Sequence, residues 1–392
     1  MAGRKSPSYA PRRGSTSSER DFFDIPDEPI LAVAKRQLRH IRTWVVFGLF
    51  VLFIFWLQHK PAKPPLPHIR YDLVDWSRYA YTQYATSSPY LCNSIMIFEA
   101  LHRLGSRAER VLFYPYDWDL EVDDSSDRDS QLLVMARDKY NVQTVPIDIQ
   151  MIKGGSGSTE SWDTSISKFL AFGETHYERV IHLDSDSTVL QNMDELFFLP
   201  SAQVAMPRAF WELPHTKQLS SQLIVLEPSH REYYALMEEA KPAMYGQVDT
   251  SDNDTHQYDM DILDKRYGNS ALVLPHRQYN LITGEFRNKD HRRYLGNEYE
   301  TWDPDRALAE AKFIHFSDWP LPKPWVMWPR ELLTEVMPKC DYKPGTAEES
   351  GCRDRAVWKK LYDDFRRRRK HVCRLLSYPA PDWPPHENPQ GD

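Results

Sequence analysis

Between residues 79 and 184 the chain alternates short apolar runs with amphipathic ones, and nothing else in it restricts the fold as tightly. YAYTQYAT (79–86), RVLFYP (110–115), TVPIDI (144–149) and RVIHLD (179–184) predict strands. Between them, PYLCNSIMIFEALHRLG (89–105), SQLLVMARDKYN (130–141) and SISKFLAF (165–172) predict helical segments. In the first of these Leu91, Ile95, Phe98 and Leu101 recur at helical spacing, and Gly105 marks the stop. Strand–helix–strand units of this length close right-handed crossovers on a largely parallel sheet, which is the α/β class. Downstream the regularity weakens. SQLIVLEPS (221–229) and KFIHFSD (312–318) predict strands, REYYALMEEAKP and HQYDMDILDKRYG predict helices, and about 353–374 predicts an amphipathic helix. That last helix places Val357, Trp358, Leu361, Tyr362 and Phe365 on one side. Its RRRRK run, 366–370, reads as a solvated face, the alternative being contact with an anionic lipid or polymer.

Upstream lies a segment of another kind. TWVVFGLFVLFIFWLQH, Thr43–His59, carries no charge over 17 residues and is bounded by Arg42 and Lys60. As a helix it reaches about 26 Å, close to the ~27 Å core of a thin early-secretory membrane. Trp44 and Trp56 sit near its ends, where indoles favour the interface. A cleaved signal peptide would not have 42 residues ahead of the apolar run. Residues 1–42 hold nine Lys/Arg against five Asp/Glu, so the positive-inside rule puts the N-terminus in the cytosol and the remainder in the lumen. The expected plan is a disordered cytosolic tail (1–42), a signal-anchor (43–59), a Pro-rich stem (60–75), a catalytic domain (76–335) and a helical extension (336–392).

The net charge of −7 splits as +4 for residues 1–42 and −11 for the rest, a poor balance for binding nucleic acid. Asn253-Asp254-Thr255 is a glycosylation sequon, in keeping with a luminal placement. Of the four cysteines, Cys340 and Cys352 flank a short loop whose closure would stabilise by roughly 3 kcal/mol. Cys92 falls within an apolar helical pattern and reads as a buried thiol; with Cys373 in play the connectivity stays open.

The chemistry is signalled at the end of the fourth strand. Val180-Ile181-His182-Leu183 stops at Asp184-Ser185-Asp186. Residues two apart in extended chain point to the same side, so both carboxylates can converge on one ion. Two such charges repel unless a cation lies between them, and oxygen ligands suit Mg²⁺ or Mn²⁺, which also holds a diphosphate. Ligands of open α/β sheets bind at these carboxyl ends. Asp-x-Asp also occurs as an ordinary pair of loop carboxylates. A second half-site is offered by KFIHFSDWPLPKPW (312–325), where His315 ends a strand and Lys323 follows in a Pro/Trp-rich loop. Imidazole favours Mn²⁺ over Mg²⁺, and a lysine neutralises phosphate.

HLDSDSTVLQNMDELF followed by IHF…KPW resembles glycosyltransferase family 8, the glycogenin and galactinol-synthase family, and within it the Golgi-anchored fungal glucose N-acetyltransferase branch. The similarity covers about residues 79–330. It implies a single GT-A (Rossmann-like) domain with a mainly parallel sheet, here preceded by the transmembrane helix. It further implies a UDP-sugar donor, Mn²⁺, retention of anomeric configuration and a glycan acceptor, the best guess being N-acetylglucosamine moved onto a mannose-containing glycan in the Golgi. By matching motifs, Asp184, Asp186 and His315 are the expected metal ligands. Tyr84, Thr86, Ser87 and Tyr90 become donor contacts together with Ser185, Lys168 and Lys323, and Asp259 and Lys168 are placed beside the transferred sugar. Some positions depart from the pattern: Ser220-Ser221-Gln222 stand where Asn-Ser-Gly is frequent, Met260 where Gln is frequent and Asp318 where Gly is frequent, and Lys323 lies two residues further from the histidine. These departures bear on sugar choice and acceptor geometry. The competing expectations are a glucosyl- or galactosyltransferase of the same family, a nucleotide-sugar hydrolase, and a non-catalytic luminal glycan-binding protein. The sequence sets no oligomeric state.

Overall fold

The computed structural model describes residues 30–58, 69–124, 126–152, 163–246, 257–318, 323–327, 329–340, 345, 347–374 and 378–379. The start of the tail, most of the stem and the Asn253 sequon lie outside these residues. The chain divides into two compact units, Met1–Leu73 and Val74–Asp392.

The first unit holds one long helix, α1 (Ile30–Gln58), which takes in all of the expected anchor but His59. Trp44, Phe47, Leu49, Phe50, Leu52 and Phe53 are exposed on it. Among the described residues no helix is long and apolar enough to cross a membrane.

The second unit is built on a seven-stranded sheet in the order β3-β2-β1-β4-β7-β6-β8. Its seven strands are β1 (Tyr79–Tyr84), β2 (Glu109–Pro115), β3 (Val142–Ile147), β4 (Arg179–Leu183), β6 (Val204–Pro207), β7 (Leu223–Leu226) and β8 (Leu272–Leu274); the unit also forms β5 (Ser187–Val189), β9 (Leu281–Ile282), β10 (Phe313–His315) and a short parallel pair, Val326–Met327 and Tyr378–Pro379. β3-β2-β1-β4 pair in parallel, as the alternating first half predicts, while β7 runs antiparallel to both β4 and β6. The sheet separates two cores. Tyr81, Ile181 and Leu183 face helices α2 (Ser88–Arg103) and α3 (Arg128–Tyr140). Ala80, Val180 and Ile224 face the 3-10 helix Ser165–Gly173 and the helices His230–Met244 and Asp259–Tyr267. That alternation is what the period-2 strand pattern requires, and each large apolar side chain so buried contributes about 2 kcal/mol.

A second, three-stranded sheet, β5-β10-β9, sits past the end of β4. β5 pairs antiparallel with β10, setting Ser187 opposite His315.

The C-terminal helix runs Ala347–Val372 and buries the five predicted apolar residues. Two expectations about it are overturned. The arginine run is not a solvated face. Arg369 is 2% exposed and donates to Pro89 O and Asn93 Oδ1, Arg368 reaches Met96 O and Glu99, and Arg366 donates to Pro324 O. Only part of the run, such as Arg367, stays in solvent. Guanidinium groups bury their stems and still satisfy their donors on carbonyl oxygens, which a reading based on charge alone misses. Likewise Cys92 is no free thiol: it is bridged to Cys373 across 281 residues, because the helix end lies on α2. Cys340 and Cys352 form the other bridge.

Candidate active site

β4 carries the site's first half. Asp184 N donates to Gln222 O at 2.9 Å, which continues the β4–β7 ladder one residue beyond Leu183. The chain then turns through Ser185 and Asp186, both buried, into β5. The β5–β10 pairing delivers the second half: Phe316 N donates to Asp186 O at 2.9 Å, and His315 Nε2 lies 2.9 Å from Asp186 Oδ1. His315 Nε2 is also 3.9 Å from Asp184 Oδ2. Lys323 Nζ meets Asp186 Oδ2 at 2.6 Å and donates to Phe316 O at 3.2 Å.

The opposite side is closed by a buried lysine. Lys168, 2% exposed on the 3-10 helix, contacts Asp184 Oδ1 at 2.9 Å and Asp259 Oδ2 at 2.7 Å. Asp259 opens its helix and also accepts from Ser221 Oγ at 2.5 Å. The result is a row of alternating charge: Asp259, Lys168, Asp184, His315, Asp186, Lys323.

Burial raises the pKa of Asp184, as does Asp186, with Lys168 and His315 opposing. For Asp186 burial is outweighed by His315 and Lys323, which hold it well below the usual carboxylate range. Burial is likewise outweighed at Asp259, where Lys168 and the bonds from Lys168 and Ser221 keep the carboxylate ionised. Burial alone would lower the Lys168 pKa, but Asp184 and Asp259 raise it above the usual lysine range. Two carboxylates this close are tolerated in a buried site only because cationic groups stand between and around them.

Of the residues expected to contact a donor, Tyr84 joins this cluster. Its ring stacks on His182 (centroids 5.6 Å, 14° between planes). Burial raises its pKa, and the Asp184, Asp259 and Asp186 charges add to that. Thr86 does not join it; its hydroxyl meets Thr164 at 3.4 Å. Ser87 is the N-cap residue of α2 but makes no side-chain cap bond. Tyr90, in the first turn of α2, packs edge-on against Trp325 at 5.2 Å, so the segment carrying Lys323 touches the segment after β1. Sequence reasoning passed over His182, which is fully buried, bonded through Nδ1 to Thr82 Oγ1 at 3.0 Å, and has its Nε2 4.0 Å from Asp184. A histidine inside an otherwise apolar strand was the available signal. Ser221 entered only as a departure from a motif, yet it touches both Lys168 and Asp259.

One carboxylate oxygen from each of Asp184 and Asp186 and a ring nitrogen of His315 lie within 4.8 Å of one another. Two hard oxygens and one imidazole suit a divalent cation such as Mn²⁺ or Mg²⁺. The donor set fits such an ion.

No protein-family model matches the chain. A protein of Aspergillus fumigatus named Glucose N-acetyltransferase 1 is 67% identical over 374 residues, spanning 95% of this chain and 97% of its own. The chain belongs to the fungal glucose N-acetyltransferase family. Membership makes it a glycosyltransferase, as the two motifs led one to expect. The family member of Gibberella zeae is 48% identical over 79% of this chain and 66% of its own, and that of Saccharomyces cerevisiae 26% identical over 77% and 82%. Among solved structures, the galactosyltransferase LgtC in complex with donor and acceptor sugar analogs aligns over 72% of this chain and 95% of its own, at 10% identity and a TM-score of 0.44. That likeness is too loose to carry an argument.

Proposed function

We propose that this protein is a retaining GT-A-type transferase that moves N-acetylglucosamine from a UDP-sugar to a glycan acceptor containing mannose. The observation that carries this reading is the meeting of Asp184, Asp186 and His315 between Lys168 and Lys323. The relatives' name, Glucose N-acetyltransferase 1, favours a glucose-derived sugar over galactose.

Asp184, Asp186 and His315 would hold the cation, preferably Mn²⁺, and a cation bound there supplies Lewis-acid stabilisation of a diphosphate leaving group. Lys323, ion-paired with Asp186, would add a second positive charge for the phosphates. Lys168 holds Asp184 and Asp259 at a fixed spacing. Asp259 stays ionised, which suits it to stabilise positive charge at an anomeric carbon and not to donate a proton. In a retaining transfer the acceptor hydroxyl reaches that carbon from the face the phosphate leaves, and Asp259, held by Ser221, would lie beside the sugar. Tyr84, backed by His182, offers a ring for the base.

The same reading places the enzyme in the Golgi membrane as a single-pass type II protein. The uncharged run within α1, its exposed apolar side chains and the excess of Lys/Arg before it support that orientation. Incubation with a panel of UDP-sugars and mannosides, read by mass spectrometry, tests the function. Transfer from UDP-N-acetylglucosamine in preference to the others is expected; release of free sugar alone, or no turnover, refutes it. Protease protection in sealed microsomes tests the topology.

A further inference from the structure

We propose that the C-terminal helix is part of the donor-phosphate site: it sets the position of Lys323 through Tyr362, Arg366 and the buried Asp318. The inference rests on the reading that the acid cluster binds a nucleoside diphosphate.

Described residues on either side of Lys323, from Phe316 to Asp318 and from Pro324 to Trp325, meet one face of that helix. Ahead of the lysine, Phe316 packs against Tyr362 and Phe365, with ring centroids 5.3 and 4.8 Å apart. Asp318 follows, its side chain 1% exposed. Its carboxylate accepts from Tyr362 OH at 2.7 Å, from Trp358 Nε1 at 3.2 Å and from Thr283 Oγ1. Arg287 lies 3.7 Å away. A buried carboxylate is stable only with such donors, and two of the three hydrogen-bond donors here come from the C-terminal helix. Beyond the lysine, Pro324 O accepts from Arg366 Nε at 2.9 Å. Trp325 is enclosed by Tyr90, Phe365 and the Arg369 guanidinium.

The helix is itself fixed to the domain. Asp354 accepts from Trp302, Arg368 and Arg369 bond to α2, and Cys373 is bridged to Cys92. A lysine side chain has large rotamer entropy, so holding its ammonium group on one phosphate depends on a fixed backbone. Here that backbone is fixed by side chains from a helix that contributes nothing to the acid cluster itself. Tyr362, Arg366 and Asp318 are therefore positioning residues that act through Lys323.

Non-additivity separates this from a merely structural role. In the full-length protein, Arg366→Met and Tyr362→Phe are made singly and again in a Lys323→Met background. UDP affinity is measured calorimetrically with Mn²⁺, and circular dichroism checks the fold. Each single variant is expected to bind UDP more weakly, by up to the roughly tenfold that losing the lysine's own charged hydrogen bond in Lys323→Met would cause, with the KM for acceptor unchanged. In the Lys323→Met background neither is expected to cause further loss. Wild-type UDP affinity in the folded single variants, or losses that multiply with that of Lys323→Met, overturns the inference. Failure of the wild-type protein to bind UDP at all overturns the functional reading, and this inference with it.

Discussion

His315 Nε2 and Asp186 Oδ1 lie 2.9 Å apart although the two residues are 129 positions apart in the chain. The β5–β10 register makes this contact, placing His315 opposite Ser187 and letting Phe316 N reach Asp186 O. The contact separates a site from a common motif. Without it, Asp184 and Asp186 are a pair of carboxylates at a strand end; with it, three ligand-type groups and a lysine share one point.

Asp184→Asn keeps the shape of the side chain and removes its charge. Transfer is expected to fall at least about 100-fold, the scale seen when one group of a preorganised electrostatic site is lost. The variant is expected to keep the fold, because Lys168 retains Asp259 as a buried partner at 2.7 Å. Turnover and a thermal melt on the same preparation check both halves. Near-normal turnover contradicts the ligand assignment.

Lys168→Met tests the other wall. It leaves Asp184 and Asp259 buried without their shared cation, a loss of about 3–5 kcal/mol. The denaturant midpoint is expected to drop, and Lys168→Met combined with Asp259→Asn is expected to recover part of it. If the double variant is weaker than the single one, the lysine is not there to neutralise the two acids.

The first half of the fold was legible in the sequence because strand and helix periods alternate cleanly there, and β1–β4 fall within a few residues of the expected bounds. The two halves of the site could be picked out because a carboxylate pair after an apolar strand and a His with a following Lys, each common alone, are specific in combination. What remained hidden depends on contacts distant in sequence. Nothing local to Cys92 points to Cys373, 281 residues away. The arginines at 366–370 look solvent-facing until the carbonyls of Pro89, Met96 and Pro324 are brought beside them. Asp318 stands where the resemblance has glycine, and its reason lies in Tyr362 and Trp358, on a helix outside the matched segment.

Cys373→Ser opens the longer of the two bridges and frees the helix end that carries Arg369. The cost is expected to be roughly 2–5 kcal/mol, read as a lower denaturant midpoint. Dithiothreitol is expected to destabilise the wild type by more than it destabilises the variant, in which only Cys340–Cys352 remains to be reduced. Equal sensitivity in both proteins contradicts a stabilising role for Cys92–Cys373.

Asp354 gives the C-terminal helix a pH dependence. Burial pushes its carboxyl up to about 6; the Trp302 N–H at 2.8 Å and His291 act against this, and Glu285 and Asp303 with it. The folded state therefore holds this proton more tightly than the unfolded chain does. Its stabilising contribution is full below the ordinary aspartate pKa and is lost as the pH rises through about 6. Asp354→Asn removes the titration while its side-chain oxygen still accepts from Trp302. The variant is expected to melt higher than the wild type at pH 7, and the gap is expected to narrow as the pH falls through about 6 and to close only below the ordinary aspartate pKa of 3.8. Parallel melting curves across that range exclude Asp354 as the titrating group.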